Sequence, residues 1–475
     1  MLRCILLFIS VLLFQACHQQ VESWVERSDI PPIYPDYMNV TIPYNIAPLN
    51  FMYRGNISAM RVCVYNQLDS LVVEGKYKVS FPIKKWKDFM EQSKGDTLRV
   101  LLYVLEEGLW YRYPAFSWFV SPDKLDSYLS YRLIEPGYEV WNHIQLCERN
   151  LENFEERIIA DNNLVDGNCM NCHIYGNHQG ELSCFHLRGE KGGTILNKNG
   201  RLHKLQLKND QMVSAATYGD FHPTGAYGVF SSNQIIPAFH TLGNKRLEVF
   251  DTTSDLVVVH FDTGEITQFP WVARKDVLET FPTFSADGEW VYYCASITKT
   301  VPDSLQSLRY SLCRIPFNEQ NGELENQIDT IWNAEEMNGS VCFPKASPDG
   351  RFLLFTVADY GTFPIWHRET DLHMMNLRNK EMLDLSEVNS DRSDTYHSWS
   401  STGRWFVFAS KRGDGQYGKP YFSYVTEEGQ VSKPFLLPQE DAEHYDYTLK
   451  SYNIPELSAT PVPFDAEDIR LIYQQ

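Results

Sequence analysis

Short runs of alternating apolar and polar residues fill the first part of the chain. Between Leu49 and Phe119 these runs are MRVCVY, SLVVEG, KYKVSF, TLRVLLYVLE and LWYRYPAFSWFV, separated by Asn, Asp, Gly and Lys. A period of two is typical of strands that bury one face. One stretch, KKWKDFMEQS, has helical spacing instead. The pattern predicts a small β-sandwich-like domain over residues 49–120, with one helix.

In residues 121–184 the apolar positions have a different spacing. Apolar residues recur every three or four positions at Leu125, Tyr128, Leu129 and Leu133, and again at Leu151, Phe154, Ile158 and Ile159. This spacing places the apolar side chains on one face of a helix. We therefore expect a short helical connector of two amphipathic helices. The segment CMNCH would then lie in a loop after the second helix.

The remainder of the chain, residues 185–475, is repetitive. Four segments share a polar glycine turn followed by an aromatic and aliphatic strand: HPTGAYGVFSS, SADGEWVYYCA, SPDGRFLLFTV and SSTGRWFVFAS. A second hairpin follows each of them, and two hairpins make the four-stranded blade of a β-propeller. The earlier hairpin GGTILNKNGRLHKLQLK indicates a fifth blade. A sixth blade could be closed from the two ends of the region, and a C-terminal tail would follow.

The motif with the sharpest chemical meaning is CxxCH, formed by Cys169, Cys172 and His173. Two thiols at this spacing can add to the vinyl groups of one haem, and the following His can bind the iron. The motif thus predicts a c-type haem with His173 as the proximal ligand. The sixth ligand is not determined by the sequence. The candidate distal ligands are His186, His222 and His240, although for each of them an ordinary loop or turn histidine is the favoured interpretation.

Two other chemistries fit the same segment. Cys184 and His186 follow closely, with His178 between, so a four-ligand zinc site could be drawn from this stretch. Alternatively, Cys169 and Cys172 could form a local disulfide. Under either alternative the chain has no haem.

The N-terminus has the features of an export signal. A basic Arg3 precedes an apolar run too short to span a bilayer, and residues 14–17 (FQAC) resemble a bacterial lipobox. This pattern predicts a lipoprotein signal peptide over residues 1–16 and a lipid on Cys17, while an ordinary secretory signal is the alternative. Residues 17–48 are polar and then Pro-rich, which predicts an extended tether. Export suits both haem attachment and disulfide formation.

The overall charge narrows the choice of partners. A net charge of −19 argues against nucleic acid and against an anionic membrane surface. The sequence contains no GxSxG, HExxH, GxGxxG or P-loop motif. These absences favour a protein that is not an enzyme, although propeller enzymes can build sites from scattered loop residues.

Several segments resemble a known family. The SPDG turns followed by FLLFTV or WFVFASKR resemble the repeats of TolB-like six-bladed propellers over residues 185–455. The segments IPYNIAPLNF, YRLIEPGYEVWNHI, CMNCH and FHLRGEKGGT resemble exported Bacteroidota lipoproteins, often called TolB-like or cytochrome c biosynthesis proteins. The resemblance implies fold and location rather than chemistry. TolB itself has a different N-terminal domain, so a Tol–Pal role is not implied.

Together these features predict a mainly β protein, with a six-bladed propeller after an N-terminal β domain and a helical connector. We expect it to be lipid-anchored to the outer membrane, facing the periplasm or the cell surface. It would carry a c-type haem as an electron carrier or haem-bearing scaffold, with a protein partner at the envelope. The alternative is a haem-free propeller lipoprotein that binds a protein or glycan, with CxxCH as a structural disulfide or zinc site.

Overall fold

The protein is mainly β: of the residues that the structure describes, 46% are in strands and 9% in helices. The computed structural model describes residues 21, 23–135, 142–238 and 248–475. Cys17, His240 and the predicted signal peptide lie outside these residues. Within the described ranges, no helix has the length and apolar character needed to cross a membrane.

The N-terminal part contains two sheets and one helix. Its elements are β1 (Val25–Glu26), β2 (Ile33–Tyr34), β3 (Val40–Pro43), β4 (Phe51–Tyr53), β5 (Ala59–Tyr65), β6 (Ser70–Gly75), β7 (Lys78–Val79), α1 (Ile83–Gln92), β8 (Thr97–Glu106), β9 (Leu109–Arg112) and β10 (Phe116–Ser121). Seven strands form one sheet, in the order β1-β9-β8-β10-β3 with β5 and β6 attached through β8, and β2, β4 and β7 form the other. The predicted strands and helix of this region are confirmed.

The prediction of an extended tether up to residue 48 is wrong for its second half. Strand β3 pairs in parallel with β10, and Tyr37 and Ile42 are fully buried. The Nε1 atom of Trp118 donates a hydrogen bond to the Tyr37 carbonyl over 2.6 Å. The Pro-rich composition obscured this short strand. Pro43 is its last residue, and a proline is tolerated there because β3 lies at the edge of the sheet.

The two helices predicted between residues 121 and 160 are also wrong. This region forms three strands, β11 (Tyr128–Ile134), β12 (Gln145–Asn150) and β13 (Glu156–Asp161). Leu129 and Tyr131, two positions apart, are both fully buried, which fits the period of a strand, whereas a helix would place them on opposite sides. Tertiary pairing decides the outcome, because β11 pairs with β12 on one side and with a strand from the C-terminus on the other.

The rest of the chain forms further small sheets and short helices. The strands are β14 (Met170–Tyr175), β15 (Leu182–Leu187), β16 (Gly193–Lys198), β17 (Arg201–Leu205), β18 (Ala216–Phe221), β19 (Tyr227–Ala238), β20 (Glu248–His260), β21 (Glu265–Gln268), β22 (Val277–Phe284), β23 (Trp290–Ile297), β24 (Ser311–Asn318), β25 (Glu323–Leu324), β26 (Asp329–Trp332), β27 (Ser340–Ala346), β28 (Phe352–Ala358), β29 (Asp371–Asn376), β30 (Met382–Leu383), β31 (Asp394–Trp399), β32 (Trp405–Ser410), β33 (Lys419–Tyr424), β34 (Phe435–Leu436) and β35 (Ser451–Ser458). The helices are α2 (Ala334–Met337), α3 (His444–Tyr447) and α4 (Ala466–Tyr473), with single 3₁₀ turns at Asn162–Leu164, Gly176–His178, Leu305–Ser307 and Pro364–Trp366.

These strands form six consecutive sheets. We number them sheet 1 (β14–β17), sheet 2 (β18–β21), sheet 3 (β22–β26), sheet 4 (β27–β30), sheet 5 (β31–β34) and sheet 6 (β35, β11, β12, β13). The first strand of each sheet, called here its inner strand, contacts the inner strand of the next, and β35 of sheet 6 contacts β14 of sheet 1. This arrangement is a β-propeller-like fold. It includes strands that precede residue 185.

The repeated turn found in the sequence joins the inner strand to the second strand in sheets 2 to 5. Its glycines have left-handed φ angles of 69°, 77°, 69° and 64° at Gly225, Gly288, Gly350 and Gly403. Each glycine N–H donates to the carbonyl three residues earlier, at His222, Ser285, Ser347 and Ser400. Glycine is needed because other L-residues are strained at such angles.

The N-terminal sheets share a core with sheets 5 and 6. Trp118 of β10, Trp405 of β32 and Tyr452 of β35 belong to one buried apolar cluster. The Trp405 Nε1 atom donates to the Asp123 carbonyl over 3.0 Å. At the other end of the chain, Ile469 of α4 packs with Ile159 of β13. The N-terminal sheets and α4 therefore both pack against sheet 6.

Candidate functional site

The inner strands of sheets 3 to 6 carry a β-bulge at the same place. The register of pairing shifts there in each sheet. The bulged residues have positive φ angles: Phe281 (51°), Phe343 (53°), Tyr396 (47°) and Ile454 (52°). A bulge re-aims a side chain out of the regular pleat, and bulges are common beside binding sites. All four residues line the same cavity.

That cavity, called here the central cavity, is bordered by a row of aromatic rings. Tyr218 of sheet 2, Phe281, Phe343 and Tyr396 contact one another in series, with ring centroids 5.2, 4.4 and 4.6 Å apart. The cavity has a volume of about 460 Å³. This size lies within the range of small-molecule and cofactor sites. An apolar, aromatic wall favours a flat ligand of low polarity.

Sheet 1 brings the CxxCH motif to the same cavity. Its register shifts between Asn171 and Ile174, so that Cys172 and His173 occupy the bulge and the position after it. In sheets 3, 4 and 5 these two positions hold Phe281-Pro282, Phe343-Pro344 and Tyr396-His397. The prediction that CMNCH lies in a loop after a helix is wrong, because its last four residues belong to strand β14.

Three residues of the CMNCH segment, Cys169, Asn171 and His173, line the central cavity, and so does Ile174 directly after it. Cys169 is half-buried and is a free thiol. The side chain of Cys172 lies outside the described residues. The structure therefore places one predicted haem-attaching thiol and the predicted proximal ligand on the wall of one cavity.

His173 is a neutral imidazole held in a dry environment. Burial lowers its pKa to about 3, the nearby Arg132 charge lowers it further, and backbone groups of Ser130 and Ile454 oppose the change. Its Nε2 atom is buried and has no hydrogen-bond partner within the described ranges. A neutral imidazole with a free ring nitrogen has the protonation state that an iron ligand needs.

His397 occupies the equivalent position in sheet 5 but has different contacts. Burial lowers its pKa to about 3 as well. Its Nε2 atom lies 3.0 Å from the Leu354 carbonyl of sheet 4, and therefore acts as the donor. A histidine at this position can thus serve as a structural link between neighbouring sheets.

The candidate distal ligands do not reach this cavity where the structure describes them. His186 lies on β15, where burial lowers its pKa to about 4 and its Nδ1 atom is 3.3 Å from Thr194 Oγ1. His222 lies in a turn, with its ring against Phe284 and Phe317. Neither histidine is among the residues that line the cavity.

The predicted zinc set is not assembled either. Cys184 is buried in an apolar cluster with Leu196 and Phe230, away from the cavity lining. In the part of the chain that the structure describes, no three His, Cys, Asp or Glu side chains lie close enough to hold a metal ion. Cys294 and Cys342, which could have paired between sheets, are separate free thiols.

Charged side chains at the cavity were not found from the sequence. The lining contains four basic residues, Arg132, Arg188, Lys345 and Lys411, and two acidic residues, Glu135 and Glu456. Burial raises the pKa of Glu456 to about 7 and lowers that of Lys411 to about 7. No local motif marks these residues, because they come from five different sheets or loops. The bulge pairs, in contrast, could have been found by aligning NCHIY with TFPTF, CFPKA and TYHSW.

Comparisons with known proteins give distant structural similarities only. No family model matches the sequence, and no curated protein matches it. A puromycin-hydrolyzing peptidase of Mycobacterium tuberculosis matches 65% of this chain with 12% identity and a TM-score of 0.32, and the match spans 39% of that protein. A DUF4784 family protein from Bacteroides caccae matches 76% of this chain and 96% of its own length, with 8% identity and a TM-score of 0.32.

An oligogalacturonate lyase from Vibrio parahaemolyticus matches 63% of this chain and 92% of its own length, with 10% identity and a TM-score of 0.32. The Bacteroides caccae and Vibrio parahaemolyticus neighbours are propeller-type proteins. At such TM-scores they carry no argument about chemistry. The chemistry of the site rests on its own residues.

The central cavity combines three properties. Its wall is aromatic, its CxxCH segment supplies a thiol and a neutral imidazole, and its charged residues are mostly basic. Aromatic walls bind flat apolar surfaces, imidazole binds metal ions, and basic groups bind anions. A site of this composition suits a cofactor or a small ligand with both apolar and anionic parts.

Proposed function

We propose that this protein is a TolB-like, six-bladed propeller that carries a c-type haem in its central cavity. Cys169 and Cys172 would hold the haem through thioether bonds, and His173 would bind the iron. The bound haem would supply one-electron chemistry, so the protein would act as an electron carrier or a haem-bearing scaffold. The six sheets would be the six blades, with the N-terminal sheets as a separate β domain.

The observation that carries this proposal is the position of the motif. Cys169 and His173 line one cavity together with a row of aromatic rings. The Nε2 atom of His173 is buried without a hydrogen-bond partner in the described part of the chain, a state that costs free energy unless something binds it. Haem is flat and largely apolar, so its ring suits an aromatic wall.

The protein's own residues would have defined tasks around the haem. Asn171 lines the same cavity as His173. The aromatic side chains of Phe281, Phe343 and Tyr396 would exclude water from the haem macrocycle. Burial keeps the pKa of His173 low, so its imidazole is neutral at physiological pH. The sixth ligand is not assigned, since neither His186 nor His222 lines the cavity.

The location belongs to the same proposal. A lipid on Cys17 would tether the protein to the outer membrane, where a basic redox protein would suit its net charge of −19. Replacing Cys17 by Ala should release the protein from the membrane fraction into the soluble fraction. A Cys17→Ala variant that stays with the membrane would contradict the lipid anchor.

A second candidate function has one observation in its favour. The Cys172-His173 pair occupies a position of the structural repeat, which in other sheets holds Phe-Pro or Tyr-His pairs. This supports a haem-free propeller lipoprotein that binds a protein or glycan through the aromatic cavity. Aromatic faces also stack on sugar rings, so the cavity wall is compatible with a glycan end group.

The deciding experiment is a pyridine haemochrome spectrum and a haem-stained denaturing gel. The full chain should be exported in cells that contain a cytochrome c maturation system. We expect a haem-stained band for the wild type and none for the double variant Cys169→Ser, Cys172→Ser. The matched control is Cys184→Ser, which removes a nearby buried thiol and should keep the stain.

Absence of stain in the wild type, with the maturation system active on a control cytochrome, would reject the haem proposal. Haem that survives in the double variant would show attachment at another place, and would also reject it. If the wild type has no haem stain, the haem-free propeller that binds a protein or glycan becomes the preferred proposal. The search would then move to ligands of the central cavity.

A further inference from the structure

The central cavity contains a lysine with an unusual environment. Lys411 follows strand β32 and is only 3% exposed. Its Nζ atom lies 3.1 Å from the centroid of the Trp366 ring. Among the residues that the structure describes, no acceptor or carboxylate pairs with this ammonium group. Asp414, whose charge acts on Lys411, is already bound by the Lys419 ammonium over 2.8 Å.

An ammonium group in this state is costly for the folded protein. A buried charge normally has a counter-ion or several hydrogen bonds, and Lys411 has an aromatic face alone. Burial accordingly lowers the pKa of Lys411 to about 7, with Asp414 opposing the change only in part. An anion placed in the cavity would supply the missing partner.

The charged residues that line the cavity also favour an anionic ligand. Four basic residues and two acidic residues line it, although the whole chain has a net charge of −19. Lys345 already has a carboxylate nearby, since its Nζ atom lies 3.9 Å from Asp220. Arg188 stands at the exposed edge of the cavity. A basic cavity in an acidic protein concentrates anionic ligands.

We infer that the central cavity takes a flat, largely apolar ligand that bears at least one carboxylate, and that Lys411 holds this carboxylate. The aromatic rings from sheets 2 to 5 contact the flat part of the ligand. Trp366 keeps the lysine side chain in place, and Arg188 receives a second anionic group at the edge. This inference rests on the cavity proposed above as the haem site, and haem with its two propionates is one member of the class.

The test uses two porphyrins that differ only in charge. Protoporphyrin IX has two carboxylates, and its dimethyl ester has none. Both are titrated into the full chain produced without a haem-attachment system, with tryptophan fluorescence as the signal, because Trp366 lines the cavity. We expect the diacid to bind at least about tenfold more tightly than the diester, as a charge-assisted hydrogen bond supplies a tenfold to hundredfold gain.

The variant Lys411→Met keeps the length of the side chain and removes the charge. This variant should weaken binding of the diacid by about tenfold or more and leave binding of the diester unchanged. Lys411→Arg should keep most of the preference for the diacid. The matched control is Lys275→Met, which removes an exposed lysine away from the cavity and should change neither affinity.

Three results would overturn the inference: equal affinity for diacid and diester, an unchanged preference in Lys411→Met, or no binding of either porphyrin. Its failure is distinct from failure of the haem proposal. Covalent haem with no effect of Lys411 would reject the role of Lys411 alone. A Lys411-dependent preference in a protein that never acquires covalent haem would support the inference and reject the haem function.

Discussion

The inner strands of sheet 1 and sheet 5 have a register shift at the same place but different residues there. A buried histidine belongs to each place, in Cys172-His173 of one sheet and Tyr396-His397 of the other. In the described ranges each imidazole has one buried nitrogen without a hydrogen-bond partner, Nε2 in His173 and Nδ1 in His397, whereas the Nε2 atom of His397 donates to the Leu354 carbonyl. The comparison teaches that the repeat provides the position, and that the neighbouring residues decide which ring nitrogen is left free.

The comparison also explains why CxxCH occurs on a strand. The repeat already places one residue of each inner strand on the wall of the cavity, as at Phe343 and Ile454. His173 lies directly after such a position and lines the cavity without needing a new loop. Only Cys169, four residues earlier, is added outside the repeat. If the proposed haem is present, its motif required few substitutions in the repeat.

The largest expected effect separates the two histidines by spectroscopy. In haem-loaded protein, His173→Ala should move the Soret and visible bands, because it removes an iron ligand. His397→Ala should leave the bands in place, since its Nε2 atom bonds to the Leu354 carbonyl. Visible spectra of the oxidised and reduced variants provide the measurement. Equal spectral changes in both variants would show that the two positions are not distinguished as proposed.

The next effect concerns acid stability of the haem-free protein. Burial lowers the pKa of both His173 and His397 to about 3, below the ordinary value of 6.5. Between pH 6.5 and about 3 the unfolded histidines bind protons and the folded ones do not. Each histidine therefore makes the free energy of unfolding fall by about 1.4 kcal/mol per pH unit as the pH decreases in this range.

Replacing either histidine by Gln removes its contribution to this slope. His173→Gln and His397→Gln should each make the loss of stability less steep by about 1.4 kcal/mol per pH unit. Urea unfolding at several pH values from 7 to 4 measures the slopes. An unchanged slope for one variant would mean that its histidine is protonated in the folded protein, and that the two environments differ more than the burial of the rings indicates.

The smallest effect tests whether the turns of the repeat are equivalent. Gly288 and Gly350 occupy the same turn position with φ angles of 77° and 69°. Alanine at either site should cost about 1–2 kcal/mol because of the left-handed backbone. The cost should be larger for Gly288→Ala, since a Cβ atom there would lie 2.2 Å from His222 Nε2, against 3.7 Å from the nearest atom at Gly350. Urea unfolding gives the difference, and equal losses would contradict the predicted crowding at His222.

Much of the propeller-like part follows from local sequence. The SADG, SPDG and SSTG turns identify the hairpins correctly, because a glycine with a left-handed φ angle leaves a clear signature. The helix α1 and the strands β5 to β10 were also predicted, since each has a clean period. The motif CxxCH was recognised, but its membership in the repeat was not. Aligning the bulge positions would have shown it.

The errors share one physical cause. Strand β3 is short and lies in a Pro-rich stretch without a clear period, whereas the apolar residues around β11 also fit a helical spacing. Their structure is decided by partners far away in sequence, β10 for the first and both β12 and β35 for the second. The charged residues of the cavity are hidden for the same reason. Lys411 and Trp366 meet only after two different sheets have formed.

The pairing of β11 with β35 has a consequence for the order of folding. Sheet 6 cannot be completed until β35 is available, because this strand lies near the C-terminus, far along the chain from β11. Contacts between such distant segments form late and slowly. Strand β14, which contacts β35 in the folded protein, stays without this neighbour in the meantime. If a haem is attached as proposed, this interval would leave Cys169 and Cys172 accessible to the enzyme that attaches it.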